Sequence, residues 1–332
     1  MKSAIIQFVK TWTLPLAMAV GAIIYLLFAF LPPLDALGEG LEPFFTAILP
    51  LFMFLILFVT FCKVDYQKLI PVPWHFWVGV FQVVFVWILV GLILVCHLQG
   101  NSLILVESIL TCIIGPCAAA AAVVTQKLGG SLEEMTTYTF ISNCICAALI
   151  PICFPMIDTG SHFSFWSAFV TILYEVSIVL LVPMLLAYIV KHAKILRRFY
   201  HWILGFDNLG FYLWCFSLMI VTGTTVKNIV HAQSSVWFLL VIAFMGLILC
   251  IIQFAVGRYV GHFFHRNMEA GQALGQKNTA FAIWIAITYL NPLASVGPGC
   301  YILWQNIINS IEIWIKDKHD SQINNASDEA SA

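Results

Sequence analysis

Long stretches of this chain carry no charged side chain at all, and that constrains its fold more than any other feature. No Asp, Glu, Lys or Arg occurs between Lys68 and Glu107, between Glu134 and Asp158, or between Lys227 and Arg258. These stretches are mostly apolar, and a run of about 20 such residues crosses the hydrocarbon core of a bilayer. Over the whole chain 61% of residues are hydrophobic and 9% are charged, against roughly 25% charged in a soluble domain. A water-soluble fold must present much of its surface to solvent and has no way to hide so much apolar area. The sequence therefore predicts an all-α integral membrane protein. The net charge of -1 and the lack of a basic run argue against a nucleic-acid partner.

Apolar stretches of spanning length predict about ten transmembrane helices. They lie near 12–31, 44–62, 74–97, 102–126, 132–157, 163–190, 206–226, 235–257, 267–290 and 296–315. The apolar run near the N-terminus is too long for a signal peptide and is followed by further spans, so it reads as the first helix. The polar residues Asp317–Ala332 read as a disordered tail.

The basic residues test this count. With a cytoplasmic N-terminus, the cytoplasmic segments hold Lys2, Lys10, Lys63, Lys68, Lys127, Lys191, Lys194, Arg197, Arg198, Arg258, Arg266, Lys316 and Lys318, 13 of the 15 Lys and Arg. The opposite side holds Lys227, and Lys277 falls inside a span. That bias follows the positive-inside rule and places both termini in the cytoplasm. The expected residence is the cell inner (plasma) membrane.

Ten spans divide as five plus five, and an odd-numbered half forces the second half into the opposite orientation. The division predicts a first inverted repeat over residues 1–158 and a second over 159–316. Each half carries a helix-breaking irregularity in its fourth span. Gly115-Pro116 interrupts the fourth span, and the glycine-containing polar stretch Gly271–Thr279 interrupts the ninth. Paired interruptions of this kind point to a midplane binding site, because freed backbone groups persist only where protein or a wet cavity satisfies them. The competing explanation is close helix packing, which also uses small residues.

Lys277 stands out among the polar residues of the spans. It lies about 16 Å into its helix, counted from Arg266 at 1.5 Å per residue. A lysine at that depth costs about 2.5–3.5 kcal/mol on insertion scales and ordinarily faces a cavity or a partner. It is a candidate proton-coupling group or a fixed charge for an anion, with Glu175 as a candidate partner. Gln82, Thr139, Asn143 and Gln253 are weaker candidates for a polar lining, since each serves equally as an interhelical hydrogen bond. Glu107 and Glu312 read as helix-end residues reaching headgroups or water. The cysteines sit mostly in apolar runs without metal-ligand spacing, so no metal site and no cofactor is expected. The absence of HExxH, GxSxG and paired membrane carboxylates argues against an intramembrane enzyme.

The residues around the two interruptions resemble the bile acid:sodium symporter family, most clearly from Gly115 to Pro155 and from Gly271 to Asn306. Pro116, Thr125 and Thr139 fall on family positions of the fourth and fifth helices. Gly275 and Asn278 match a Gly-x-Gln-Asn core, followed by Pro298, Tyr301, Trp304 and Asn306. Gln82 falls on a third-helix glutamine that contributes to an ion site in sodium-coupled members. The resemblance implies two inverted five-helix repeats with broken, crossing helices 4 and 9. It implies a panel domain of helices 1, 2, 6 and 7 and a core domain of helices 3–5 and 8–10. Alternating access of a small organic anion, bile-acid-like or carboxylated, is the implied activity. The departures fall at the sodium sites. Ala121 and Ala122 replace a Ser-Asn pair, Ala273 replaces a glutamate, Lys277 replaces a glutamine and Met135 replaces a hydroxyl. Transport without the family's two sodium sites is therefore expected, with a proton-coupled carrier, exchanger or facilitator centred on Lys277 as the alternative. A membrane sensor is a further, less favoured reading.

Overall fold

The computed structural model describes residues 13–157, 165–206, 209–231 and 234–331. Among these the chain is helical throughout, with one isolated antiparallel bridge between Cys117 and Lys277. The helices are α1 Thr13–Phe30, α2 Pro32–Lys63, α3 Pro73–Val95, α4 Gly100–Ile114, α5 Ala121–Lys127, α6 Leu132–Ile157, α7 Phe165–Leu180, α8 Val182–His192, α9 Arg197–Leu204, α10 Leu209–Val230, α11 Val236–His262, α12 Asn267–Gly275, α13 Thr279–Tyr289 and α14 Val296–Ser331. Five helical stretches are long and apolar enough to cross a membrane: Pro73–Val95, Leu132–Ile157, Phe165–His192, Tyr212–Val230 and Val236–His262. Leu16–Phe30, Ala47–Lys63, Gly100–Ile114 and Thr279–Tyr289 are shorter apolar helices. Within the described residues, each stretch picked out from the sequence overlaps one helix or a consecutive pair; residues 12, 163–164 and 207–208 of those stretches lie outside them.

Local chemistry explains where helices begin and break. Pro73 opens α3 at a position where its missing N–H costs no helical bond. Ser235 caps α11 by accepting from Phe238 N at 3.3 Å. Leu181, just before Pro183, separates α7 from α8 within one long apolar stretch. The C-terminal segment differs from the expected disordered tail: α14 runs on as helix through Ser331. No Gly or Pro follows Gly299, so nothing in the chain stops a helix that packing has already nucleated.

Packing sorts the helices around two neighbourhoods. α1 and α2 pack against α10, and α2 also packs against α8. α11 packs along α12 and α14, while α4 packs on α13 and α5 on α12. The close approaches rest on glycine. A Cβ on Gly21 would lie 2.2 Å from the Met219 carbonyl oxygen, and one on Gly257 2.3 Å from that of Ala270. Only a residue without a side chain lets these backbones meet.

Candidate functional site

α4 and α5 are separated by residues 115–120, and α12 and α13 by residues 276–278. The two breaks meet. Ala118 N donates to Gln276 O at 2.9 Å and Asn278 N donates to Pro116 O at 2.8 Å, which forms the Cys117–Lys277 bridge. Each broken strand therefore satisfies main-chain groups of the other, as buried backbone must. Gly115 precedes Pro116, and the residue before a proline avoids helical geometry, which ends α4 there. Asn278 restarts the second helix by accepting from Phe281 N at 3.2 Å. Its side chain is thus spent on a cap.

Side chains from neighbouring helices serve the remaining groups. Ser142 of α6 accepts from Cys117 N at 2.9 Å. Gln305 of α14 holds the main chain of Lys277 from both sides. Its Oε1 accepts from Lys277 N at 2.9 Å and its Nε2 donates to Lys277 O at 3.2 Å. Gln82 of α3 donates to the carbonyls of Ile113 at 3.1 Å and Gly115 at 3.2 Å. On the other break, Tyr301 donates to Gly275 O at 2.7 Å and receives from Gln253 Nε2 at 2.9 Å.

The Lys277 side chain is 1% exposed. Its ammonium donates to Ile113 O at 3.0 Å and Gly115 O at 3.2 Å. These carbonyls end α4, where the helix dipole places partial negative charge and no further helical N–H is available. The ammonium is solvated by peptide oxygen, and among the described residues no carboxylate pairs with it. Glu175, the partner suggested by sequence, instead accepts from Tyr289 Oη at 2.5 Å, joining α7 to α13. Depth alone paired Glu175 with Lys277; the fold aims them at different neighbours.

The other sequence candidates are distributed as follows. Gln82, Pro116, Gly275 and Asn278 take part in the crossing directly through the bonds above. Ala121 and Ala122 begin α5 and Ala273 lies in α12, all buried beside it. They offer apolar surface beside the crossing. Thr139 donates to Met135 O of its own helix at 3.0 Å, and its hydroxyl also lies in hydrogen-bonding reach of the Cys117 thiol at the crossing. Gln305 and Ser142 were not singled out by sequence. The signal available was only that each is a polar residue in an apolar span, which many unremarkable residues share.

The half-helix α12 is anchored by charge at its outer end. Glu134 at the start of α6 accepts from Trp74 Nε1 at 2.8 Å and from Arg266 Nε at 2.9 Å. That contact raises the Arg266 pKa above its ordinary value. Glu269 accepts from Ser131 N at 2.9 Å. Glu312 pairs with Arg258 and accepts from Gln272 Nε2 at 2.9 Å. Glu312 therefore does not reach headgroups from a helix end, because α14 continues past it and faces α11 and α12. Glu107, 4% exposed, is also buried in the fold.

No protein-family model matches the chain, and no curated protein matches it significantly.

Proposed function

We propose that the chain is a secondary transporter of a small organic anion, working by alternating access and without exchangeable sodium at the helix crossing. The observation that carries this reading is the meeting of two broken helices at the Cys117–Lys277 bridge, with a buried ammonium on the carbonyls that end α4. Interrupted helices that meet deep in a bundle are the architecture in which carriers place substrate and ion sites.

Two inverted five-helix halves account for the correspondences across the crossing. Gln82 serves the carbonyls ending α4, while Gln253 serves the one ending α12 through Tyr301. Ser142 meets the main chain of the first break and Gln305 that of the second. In this reading α1, α2, α7–α8 and α10 form the panel and the remaining spans form the core. The protein sits in the plasma membrane with both termini in the cytoplasm. Ala121, Ala122 and Ala273 supply no oxygen side chains for a metal ion, which binds through several oxygen ligands. The ammonium of Lys277 stands in as a resident cation.

The ammonium is held by the Ile113 and Gly115 carbonyls of the protein itself, so it acts as a fixed charge within the crossing more naturally than as a direct clamp on substrate. Proton-coupled exchange or facilitated diffusion is the second reading, and it is favoured by the same absence of sodium ligands. Uptake of labelled taurocholate and of short carboxylates into proteoliposomes tests both. Flux that is unchanged when sodium is replaced by potassium is the expected result. A sodium-dependent flux overturns sodium independence, and a lack of carrier-mediated flux for every organic anion tried overturns the transport class. A pH gradient that drives accumulation selects the proton-coupled form.

A further inference from the structure

The segment between α8 and α10 has no part in the crossing, yet its surface is organised. From Lys191 to Phe206 it reads KHAKILRRFYHWILGF, without an acidic residue. It folds as a short 3-10 turn, Lys194–Leu196, followed by α9. Residues three and four apart share a helix face, and three stripes result. Leu196, Tyr200 and Ile203 pack against the protein core. A second apolar stripe remains outside: Ile195 is 91% exposed, Phe199 44% and Trp202 57%. Phe199 and Trp202 stack with ring centroids 5.9 Å apart. Between the two stripes run Lys194, Arg197 and Arg198, all exposed.

Among the described residues the basic stripe meets no carboxylate. Lys191 is engaged elsewhere, donating to Val64 O at 2.6 Å and lying 5.4 Å over the Tyr66 ring. Asp65, the acidic group near Tyr200, accepts from Gln67 N at 3.2 Å. Among the described residues no acidic group pairs with Lys194, Arg197 or Arg198. A helix that already buries one apolar face and exposes a second beside bare cations fits the boundary between acyl chains and headgroups. The aromatic stripe suits the acyl side and the guanidinium forks suit a phosphodiester.

We propose that Lys194, Arg197 and Arg198, with the Ile195–Phe199–Trp202 stripe beside them, form a binding surface for the headgroup of an acidic phospholipid in the leaflet that faces α9. The surface anchors the α8–α10 connection to the membrane interface. This inference needs only membrane residence and does not depend on what the protein carries.

The test is titration of the purified full-length chain in detergent with fluorescent phosphatidylglycerol and phosphatidylcholine. Each basic side chain near an anionic lipid surface contributes about fivefold in affinity. Lys194→Gln/Arg197→Gln/Arg198→Gln therefore loses a phosphatidylglycerol preference on the order of a hundredfold. Exchanging the same positions as Lys194→Arg/Arg197→Lys/Arg198→Lys retains most of it, and Lys127→Gln leaves it unchanged. If the triple glutamine variant does not fold, the wild type in about 1 M salt must lose the preference, since the Debye length there is about 3 Å. Equal binding of the two lipids by the wild type overturns the proposal, as does an unchanged preference in the glutamine variant or at high salt. Displacement of the lipid by millimolar inorganic phosphate assigns the cations to a soluble anion and likewise overturns it.

Discussion

Replacing Gln305 with leucine separates the two roles of the crossing, its backbone architecture and its buried charge. Gln305 is 2% exposed and bonds the main chain of Lys277 twice. Leucine is close in size, so the change leaves little cavity. Its effects on the two main-chain groups differ. Lys277 O keeps Thr279 N at 2.9 Å, and loses only the Gln305 bond, about 0.5–1.5 kcal/mol. Lys277 N has no second acceptor and becomes a buried orphan, at about 1–3 kcal/mol. The sum is about 1.5–4.5 kcal/mol, or a fall on the order of 2–6 °C in thermal midpoint for a chain of 332 residues. Lys277→Met is the comparison. It loses two charge-assisted bonds, about 1.5–3 kcal/mol each, and the helix-end interaction, up to about 2 kcal/mol. It also escapes the several kcal/mol that burying an ammonium costs. Gln82 still serves both carbonyls, at 3.1 and 3.2 Å, so nothing is orphaned. The opposing effects largely cancel, so Lys277→Met is the less costly of the two changes. Thermal unfolding of the purified variants, followed by tryptophan fluorescence, measures the difference. A midpoint for Lys277→Met at or below that of Gln305→Leu would refute this accounting. On the carrier reading the order reverses in transport, where Lys277→Met is the more damaging change.

Two glycines make opposite forecasts. Gly257→Ala drives a Cβ to 2.3 Å from the Ala270 carbonyl oxygen, so α11 and α12 must separate, at about 1–3 kcal/mol or more. Gly91→Ala in α3 meets nothing within 4 Å and gains about 0.4–1 kcal/mol from reduced chain entropy. Paired thermal melts of the two variants check the sign of each. The contact between α7 and α13 is tested by a double-mutant cycle on Tyr289→Phe and Glu175→Gln. A coupling of about 1.5–3 kcal/mol is expected for a phenol donating to a carboxylate, and additive effects would remove the bond from the account.

The interruptions were legible because Gly115-Pro116 and the polar, glycine-containing stretch Gly271–Thr279 both fall within spans, whereas a proline alone is no such signal: Pro151 and Pro155 lie inside α6 without ending it. The burial of Lys277 followed from counting its depth from Arg266. What holds the ammonium was not legible, because its acceptor Ile113 O lies 164 residues away in sequence and a main-chain carbonyl has no residue-type signature. A reading by residue type looks for a carboxylate, and Glu175 was the nearest candidate in kind. Glu312 was misplaced for a related reason. Its position near the end of an apolar run suggested an interface, but no breaker follows it and the helix carries it against Arg258 and Gln272. Gln305 was invisible for the opposite reason, since a lone amide in a span is ordinary until the break it serves is placed beside it.

A tethered cation has an energetic consequence that a bound ion does not. A coupling ion delivers the free energy of its gradient by binding from one side of the membrane and leaving on the other. The ammonium on residue 277 does neither: its effective concentration at the carbonyls of Ile113 and Gly115 is set by the chain, independent of either bath. On the carrier reading, the crossing is held in its cation-occupied arrangement through the whole cycle, and no sodium gradient is tapped there. Two sources of free energy remain, the gradient of the solute itself and the proton on that one amine. They differ in an observable way. A carrier driven by solute alone equilibrates its substrate and keeps doing so in Lys277→Arg, whose charge is permanent. A proton-driven carrier accumulates substrate against a gradient, and the same substitution abolishes accumulation even where exchange persists. The sign of that single comparison decides whether the lysine acts as a fixed charge or as a switch.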